Sequence, residues 1–308
     1  MTLSHQIPSQ IRIREVGPRD GFQNEPDRIA TEDKIRLINA LARTGVKRLE
    51  VTSLVRGDII PQLADAVAVL EGIDLPSDVS RSVLVPNERG LDNALSVRDR
   101  FDEVGIFLSA TETHNQRNVN RSVEDSLAGL ERMLPRIIVA GLRCEAVIAV
   151  SFGCPYEGRV SPDRVLSLAR RLVESGAHEI GFGDTTGMAN PRQVRAFFEQ
   201  AQEALPRIEL TAHFHNTRGQ GLANALAALE VGIESFESSF GELGGCPVPP
   251  GSTGNIATED LVSMMEEMGV STGISLTALL GVTQDLARTL GRTLGSHLTT
   301  AGPVSWNG

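Results

Sequence analysis

The sequence predicts a (β/α)8 barrel followed by a C-terminal helical extension. Three observations carry this. The chain has 308 residues, enough for one barrel of about 250 residues plus an appendage. Eight short strand-like runs begin near Ile11, Val46, Val79, Phe101, Arg143, His178, Ile208 and Ile233, about 32 residues apart, the size of one βα unit. Amphipathic stretches separate them, and alternation of this kind implies a parallel sheet covered by helices. Eight units favour closure over an open doubly wound sheet, and no GxGxxG follows the first run.

The helical stretches carry their own punctuation. Thr31-Glu32-Asp33 opens one that runs through Leu37, Ile38 and Leu41 and stops at Gly45. Ser161-Pro162-Asp163 opens another, ending at Gly176, and Asn190-Pro191 starts a third. Each start pairs a capping residue type with proline or acid in the first turn. After Val270 a further helical pattern, around Leu276 to Leu290, exceeds the eight units. The expected division is a catalytic barrel over 1–270 and an extension over 271–308, its tail from Gly295 onward loosely held.

Composition narrows the function classes. Hydrophobic residues make up 41% and charged residues 22%, as in globular proteins. Lys and Arg total 29 against 39 Asp and Glu, a net charge of −10. A nucleic-acid or anionic-membrane binder is expected to be basic, so neither partner is expected. A few local arginines suffice for an anionic small molecule. The apolar stretch Ile137 to Val150 is broken by Arg143 and Glu145 and does not read as a membrane span. Residues Met1 to Gln10 have no apolar core of a signal peptide. Three cysteines, Cys144, Cys154 and Cys246, without CxxC argue against a disulfide framework or structural zinc and for a reducing, cytoplasmic setting.

Barrel enzymes carry their chemistry at the C-terminal ends of the strands. Those ends read Gly17-Pro18-Arg19-Asp20-Gly21 after the first, Glu50 on the second, Gly183-Asp184-Thr185 on the sixth and His213-Phe214-His215-Asn216 on the seventh. His213 and His215, two apart on a strand, point to one face. Either they are hydrogen-bonded structural histidines, or they share a metal ion. Asp20 favours the ion, because closure leaves only the eighth strand between the first and the seventh. Imidazole and carboxylate ligands with open positions suit Mg2+ or Mn2+. Arg19 is either a solvated or salt-bridged surface arginine or a fixed cation that stabilises a developing enolate oxyanion. Glu50 and Asp184 either form buried salt bridges or orient Arg19 or move protons. The long loop Gly241 to Gly254 combines glycine hinges with Pro247, Pro249 and Pro250, the makings of a lid. Cys246 within it is a candidate proton donor to a carbanion.

Five segments resemble the 3-hydroxy-3-methylglutaryl-CoA lyase family: EVGPRDGFQNE from Glu15, SFGCPYEG from Ser151, GDTTGMANP from Gly183, HFHNTRGQGLANALAAL from His213 and GGCPVPPGSTGNIATEDL from Gly244. The likeness extends over about residues 10–290. It implies that Asp20, His213, His215 and Asn255 bind the cation. It implies that Arg19 polarises a thioester carbonyl and that Cys246 protonates the released enolate. Glu50, Asp184 and His213 are then the remaining acid–base and orienting groups. The implied reaction is retro-Claisen cleavage of an acyl-CoA to acetyl-CoA and a ketone, acetoacetate for the namesake substrate. A homodimer or higher homo-oligomer is expected. The chain departs from the family pattern at Ser53–Asp58, at Arg218 and at Val248-Pro249-Pro250, which bears on the acyl substituent. Condensation of an acyl-CoA with a 2-oxo acid on the same barrel is the alternative reaction.

Overall fold

The computed structural model describes residues 7–245 and 254–306. Eight parallel strands close into a barrel: β1 (Arg12–Glu15), β2 (Arg48–Ser53), β3 (Ser80–Leu84), β4 (Glu103–Ser109), β5 (Arg143–Ala149), β6 (Glu179–Asp184), β7 (Glu209–Phe214) and β8 (Ser235–Ser238). Neighbours in space are neighbours in sequence, and β1 pairs with both β2 and β8 to complete the ring. Each strand starts within three residues of its sequence expectation.

Alternation divides every strand between two environments. On β4, Val104, Ile106 and Leu108 are fully buried against the helices. Phe182 of β6 packs edge-on against Phe197 of helix Pro191–Ala204, with centroids 4.8 Å apart. The opposite parity turns inward, where Arg14, Glu103, Glu145, Glu179 and Glu237 meet. Arg14 is 2% exposed and bonds all four carboxylates, with Glu103 and Glu237 at 3.0 Å. Arg48 bridges Glu103 at 2.9 Å and Glu179 at 2.5 Å. Charges taken out of water survive only when paired and hydrogen-bonded, so this layer locks the strands in one register. Arg14, Glu237 and His213 are direct cross-strand partners on β1, β8 and β7.

Two helix starts differ from the sequence expectation. The Thr31 hydroxyl donates to Asp65 at 2.7 Å, and Ala30 takes the N-cap position of helix Thr31–Ala42. Ser161 precedes helix Pro162–Glu174 without a side-chain cap. Asn190 does cap its helix, accepting from the Gln193 amide at 3.1 Å. Helix Leu276–Leu290 lies against two others: Arg36 of helix Thr31–Ala42 bonds Asp285, and Thr283 bonds Glu259 of helix Thr258–Glu267. The tail is held more firmly than expected. Asp260 accepts from Ser296 Oγ and from the His297 and Leu298 amides, each at 3.0 Å. No helix among the described residues is long and apolar enough to cross a membrane.

Candidate active site and metal centre

The turn after β1 presents Arg19 and Asp20. Glu15, at the end of β1, accepts from the Gly17 amide at 2.7 Å, the Phe240 amide at 3.1 Å and the Thr258 hydroxyl at 2.7 Å. These bonds tie the first turn to the segment after β8. Gly17 is required there, since a Cβ would stand 2.4 Å from the Phe240 ring. Residues Gly17–Gly21 form one wide π-helical turn, a form common at functional sites.

Asp20, His213 and His215 converge, with ligand atoms within 4.8 Å of one another. The two imidazole Nε2 atoms are 3.0 Å apart. Arg19 donates to Asp20 Oδ1 at 2.7 Å and to Glu50 Oε2 at 2.5 Å. Glu50 thus orients Arg19. Asn255 Nδ2 donates to Asp20 Oδ2 at 2.7 Å, while its buried Oδ1 has no hydrogen-bond partner among the described residues. A carboxylate, two imidazoles and an orphaned amide oxygen make a mixed nitrogen–oxygen donor set that fits a divalent cation. A second trio, Glu242, Asp260 and His297, also converges, but both Asp260 oxygens already accept from the tail.

Electrostatics follow from burial and pairing. Burial pushes Asp20 up, but Arg19 and the two imidazoles outweigh it and hold the carboxyl below its ordinary value. Burial raises Glu50, with Arg19 only partly offsetting it. Burial would lower His213, yet its bond to Glu237 at 2.8 Å raises it.

Asp184 does not join this group. With Glu179 and Gly183 inward, parity turns Asp184 outward, and it does not touch Arg19. Its Oδ1 accepts from the Met188 and Ala189 amides at 2.8 and 3.0 Å, and burial pushes its carboxyl up to about 7. Cys246 lies outside the described residues. Two neighbours of the cluster escaped the sequence reading: Glu237, which pairs with His213, and Glu145, which shares Arg14 with Glu237. Their signal is an acid at inward parity inside a strand.

A cleft of about 980 Å3 opens from this cluster. Arg19, Asp20, His213 and His215 line it, together with Glu50, Glu145 and Glu237. Arg56, Arg89, Arg117 and Arg121 line it too, and all four are exposed. Acid therefore gathers at its buried end and arginine at its open end.

The HMGL-like family model matches residues 10–286. The chain is 46% identical to the hydroxymethylglutaryl-CoA lyase of Bacillus subtilis over 290 residues, covering 94% of this chain and 96% of that one. It is 41% identical to the (R)-citramalyl-CoA lyase of Chloroflexus aurantiacus over 304 residues, covering 96% and 95%. A solved HMG-CoA lyase from Acinetobacter baumannii, in complex with coenzyme A and 3-methylmalate, superposes with a TM-score of 0.91 at 40% identity, covering 99% of this chain and 98% of that one. A match that takes in the whole barrel and every strand end bearing the cluster leaves one assignment: the chain belongs to the HMGL-like family.

Proposed function

We propose that the protein is a divalent-metal-dependent carbon–carbon lyase acting on 3-hydroxy-3-methylglutaryl-CoA or a close 3-hydroxyacyl-CoA relative, yielding acetyl-CoA and acetoacetate or another ketone. The observation that carries this is the convergence of Asp20, His213 and His215 within 4.8 Å, beside an Arg19 fixed by two carboxylates. Asp20, His213, His215 and Asn255 are the residues that would hold Mg2+ or Mn2+. When bound, the cation would chelate the substrate hydroxyl and a neighbouring oxygen and lower the hydroxyl pKa.

The chain's own groups supply the rest. The exposed arginines of the cleft hold the phosphates of the CoA portion by charge-assisted hydrogen bonds. Arg19, oriented by Glu50, meets the negative charge that develops on the thioester oxygen as the C2–C3 bond breaks. The hydroxyl proton leaves to a base at the cluster, and C3 becomes a ketone carbon. The electron pair of the broken bond stays on C2, where Cys246 returns a proton and completes acetyl-CoA. Asp184 acts at one remove, fixing the turn that carries Thr185 to the cleft. A cytoplasmic setting, a homo-oligomeric assembly and a helical extension over 271–308 complete the reading.

The test is direct. Purified protein, HMG-CoA and Mg2+ or Mn2+ are expected to give acetyl-CoA and acetoacetate in equal amounts, abolished by EDTA. If no 3-hydroxyacyl-CoA thioester is cleaved by folded, metal-loaded protein, the proposal fails. Release of CoA from acetyl-CoA plus a 2-oxo acid would mark the condensing transferase instead.

A further inference from the structure

The cleft has an apolar wall to which the proposed chemistry assigns no role. A barrel interior is ordinarily filled by layers of inward side chains. The outward residues of β4 and β5, such as Val104, Ile106 and Ile148, are fully buried. The inward Phe107, Val147 and Ala149 of the same strands are only half-buried, and so is Leu84, inward on β3. All four line the cleft, so the apolar surface they leave uncovered faces it. The gap among them opens at Gly105 of β4, the register partner of Leu84 and Glu145. A Cβ there would meet Leu84 Cδ1 at 3.4 Å and Glu50 Oε1 at 3.5 Å, ordinary contact distances. The barrel therefore has room at this point for a side chain that the sequence does not supply.

Two fixed points bound this wall. One end abuts Glu50, which holds Arg19. The other is Gly183 of β6, which also lines the cleft and is the cross-strand partner of His213. In the acyl-CoA lyase reading the thioester carbonyl meets Arg19 and the C3 hydroxyl meets the cation, so the acyl group lies across the wall between them. Glu50 and Glu145, the acids at its edge, are each tied to an arginine. Of the two other branches at C3, the carboxymethyl group has the exposed arginines at the open end of the cleft to face. The apolar branch has the wall, and contact there takes apolar surface of both partners out of water.

We propose that Leu84, Gly105, Phe107 and Val147 form the binding surface for the alkyl branch at C3, and that the protein accepts 3-hydroxy-3-alkylglutaryl-CoA thioesters whose branch is longer than methyl. This rests on the acyl-CoA lyase reading and deepens it. HMG-CoA is the smallest member of that series, and its methyl group leaves part of the wall uncovered.

The experiment measures binding of thioesters that lack the C3 hydroxyl and so are not cleaved. Mn2+-loaded protein is titrated calorimetrically with 3-methyl-, 3-ethyl- and 3-butylglutaryl-CoA. Wild-type affinity is expected to rise about threefold per added CH2. Gly105→Val fills the gap from β4 and is expected to weaken the butyl ligand about tenfold relative to the methyl one. Val147→Phe narrows the gap from β5 to the same effect, so either folded variant serves, and the wild-type series decides without them. The proposal is overturned if affinity stays level or falls from methyl to butyl, or if a folded variant weakens all three ligands equally. Cleavage of HMG-CoA alongside a level series removes the wall and keeps the lyase reading. A rising series in folded, metal-loaded protein that cleaves no 3-hydroxyacyl-CoA removes the lyase reading and keeps the wall. Should none of the three bind, both fall.

Discussion

Replacing Glu237 with glutamine tests how the cation site is held. Glu237 serves two partners at once. Oε2 accepts from His213 Nδ1 at 2.8 Å and Oε1 accepts from Arg14 Nη1 at 3.0 Å. Glutamine has one oxygen and one NH2 to offer in their place. If the oxygen keeps Arg14, the NH2 faces His213 Nδ1 and moves the ring proton to Nε2, the atom that faces His215. If the oxygen keeps His213, the NH2 meets a buried guanidinium. Either way one charge-assisted bond, about 1.5–3 kcal/mol, is lost or inverted. Removing the outer partner of a metal-ligating histidine lowers metal affinity about 10- to 100-fold, or roughly 1.4–2.7 kcal/mol. Calorimetric titration of Mn2+ into Glu237→Gln is expected to show a loss in that range. A Kd within twofold of wild type, in protein with an unchanged melting temperature, would refute the argument that Glu237 sets the ring.

Arg19→Met removes the cation shared by Asp20 and Glu50; kcat is expected to fall about 100- to 1,000-fold, with about 3 kcal/mol of stability lost to the abandoned carboxylates, and unchanged turnover would exclude Arg19 from the reaction. Asn255→Ala removes both the clamp on Asp20 and the orphaned oxygen, so Mn2+ affinity is expected to fall at least tenfold by the same titration. Asp184 has a carboxyl pushed up to about 7 by burial. Its contribution to stability is complete below the unfolded value and is lost as pH rises through 7, on the order of 4 kcal/mol in total. Asp184→Asn is therefore expected to flatten the fall in melting temperature between pH 5 and 8, and parallel profiles for the two proteins would sink this. Cys246→Ser is expected to slow turnover while sparing Mn2+ affinity; loss of metal would assign Cys246 to the cation site instead of to proton return.

Strand positions were legible because burial on the helix-facing side demands apolar residues at alternate positions, and β4 shows it plainly in Val104, Ile106 and Leu108. Helix starts were less so. Thr31 and Ser161 have capping chemistry, but Thr31 found a tertiary partner in Asp65, and local sequence does not announce such a partner. At the site, Arg19, Asp20, His213 and His215 were readable from the strand ends. Asp184 makes no bond to Arg19, for a reason also present in the sequence: it stands five positions beyond Glu179 on one strand, an odd number, so the two face opposite ways. Glu237 and Glu145 were missed because their meaning depends on register. Nothing local to β8 says that Glu237 lies between Arg14 of β1 and His213 of β7, and only ring closure makes it so.

Charge in the closed barrel argues for the cation independently of any relative. Asp20, Glu50, Glu103, Glu145, Glu179 and Glu237 are all buried, and the guanidiniums that touch them are Arg14, Arg19 and Arg48. With these carboxyls and guanidiniums ionised and the imidazoles neutral, negative charge exceeds positive there by about three, counting each residue once. Desolvated anions in such excess must bind protons or a cation. The bonds decide where each goes. Asp20 is held below its ordinary value by Arg19 and the imidazoles, which under the proposed function keeps a carboxylate ready for the metal. Glu50 is raised by burial, which under the proposed function suits it to hold a proton at the site. A divalent ion at Asp20 and one proton nearby would supply about three positive charges and so balance the barrel.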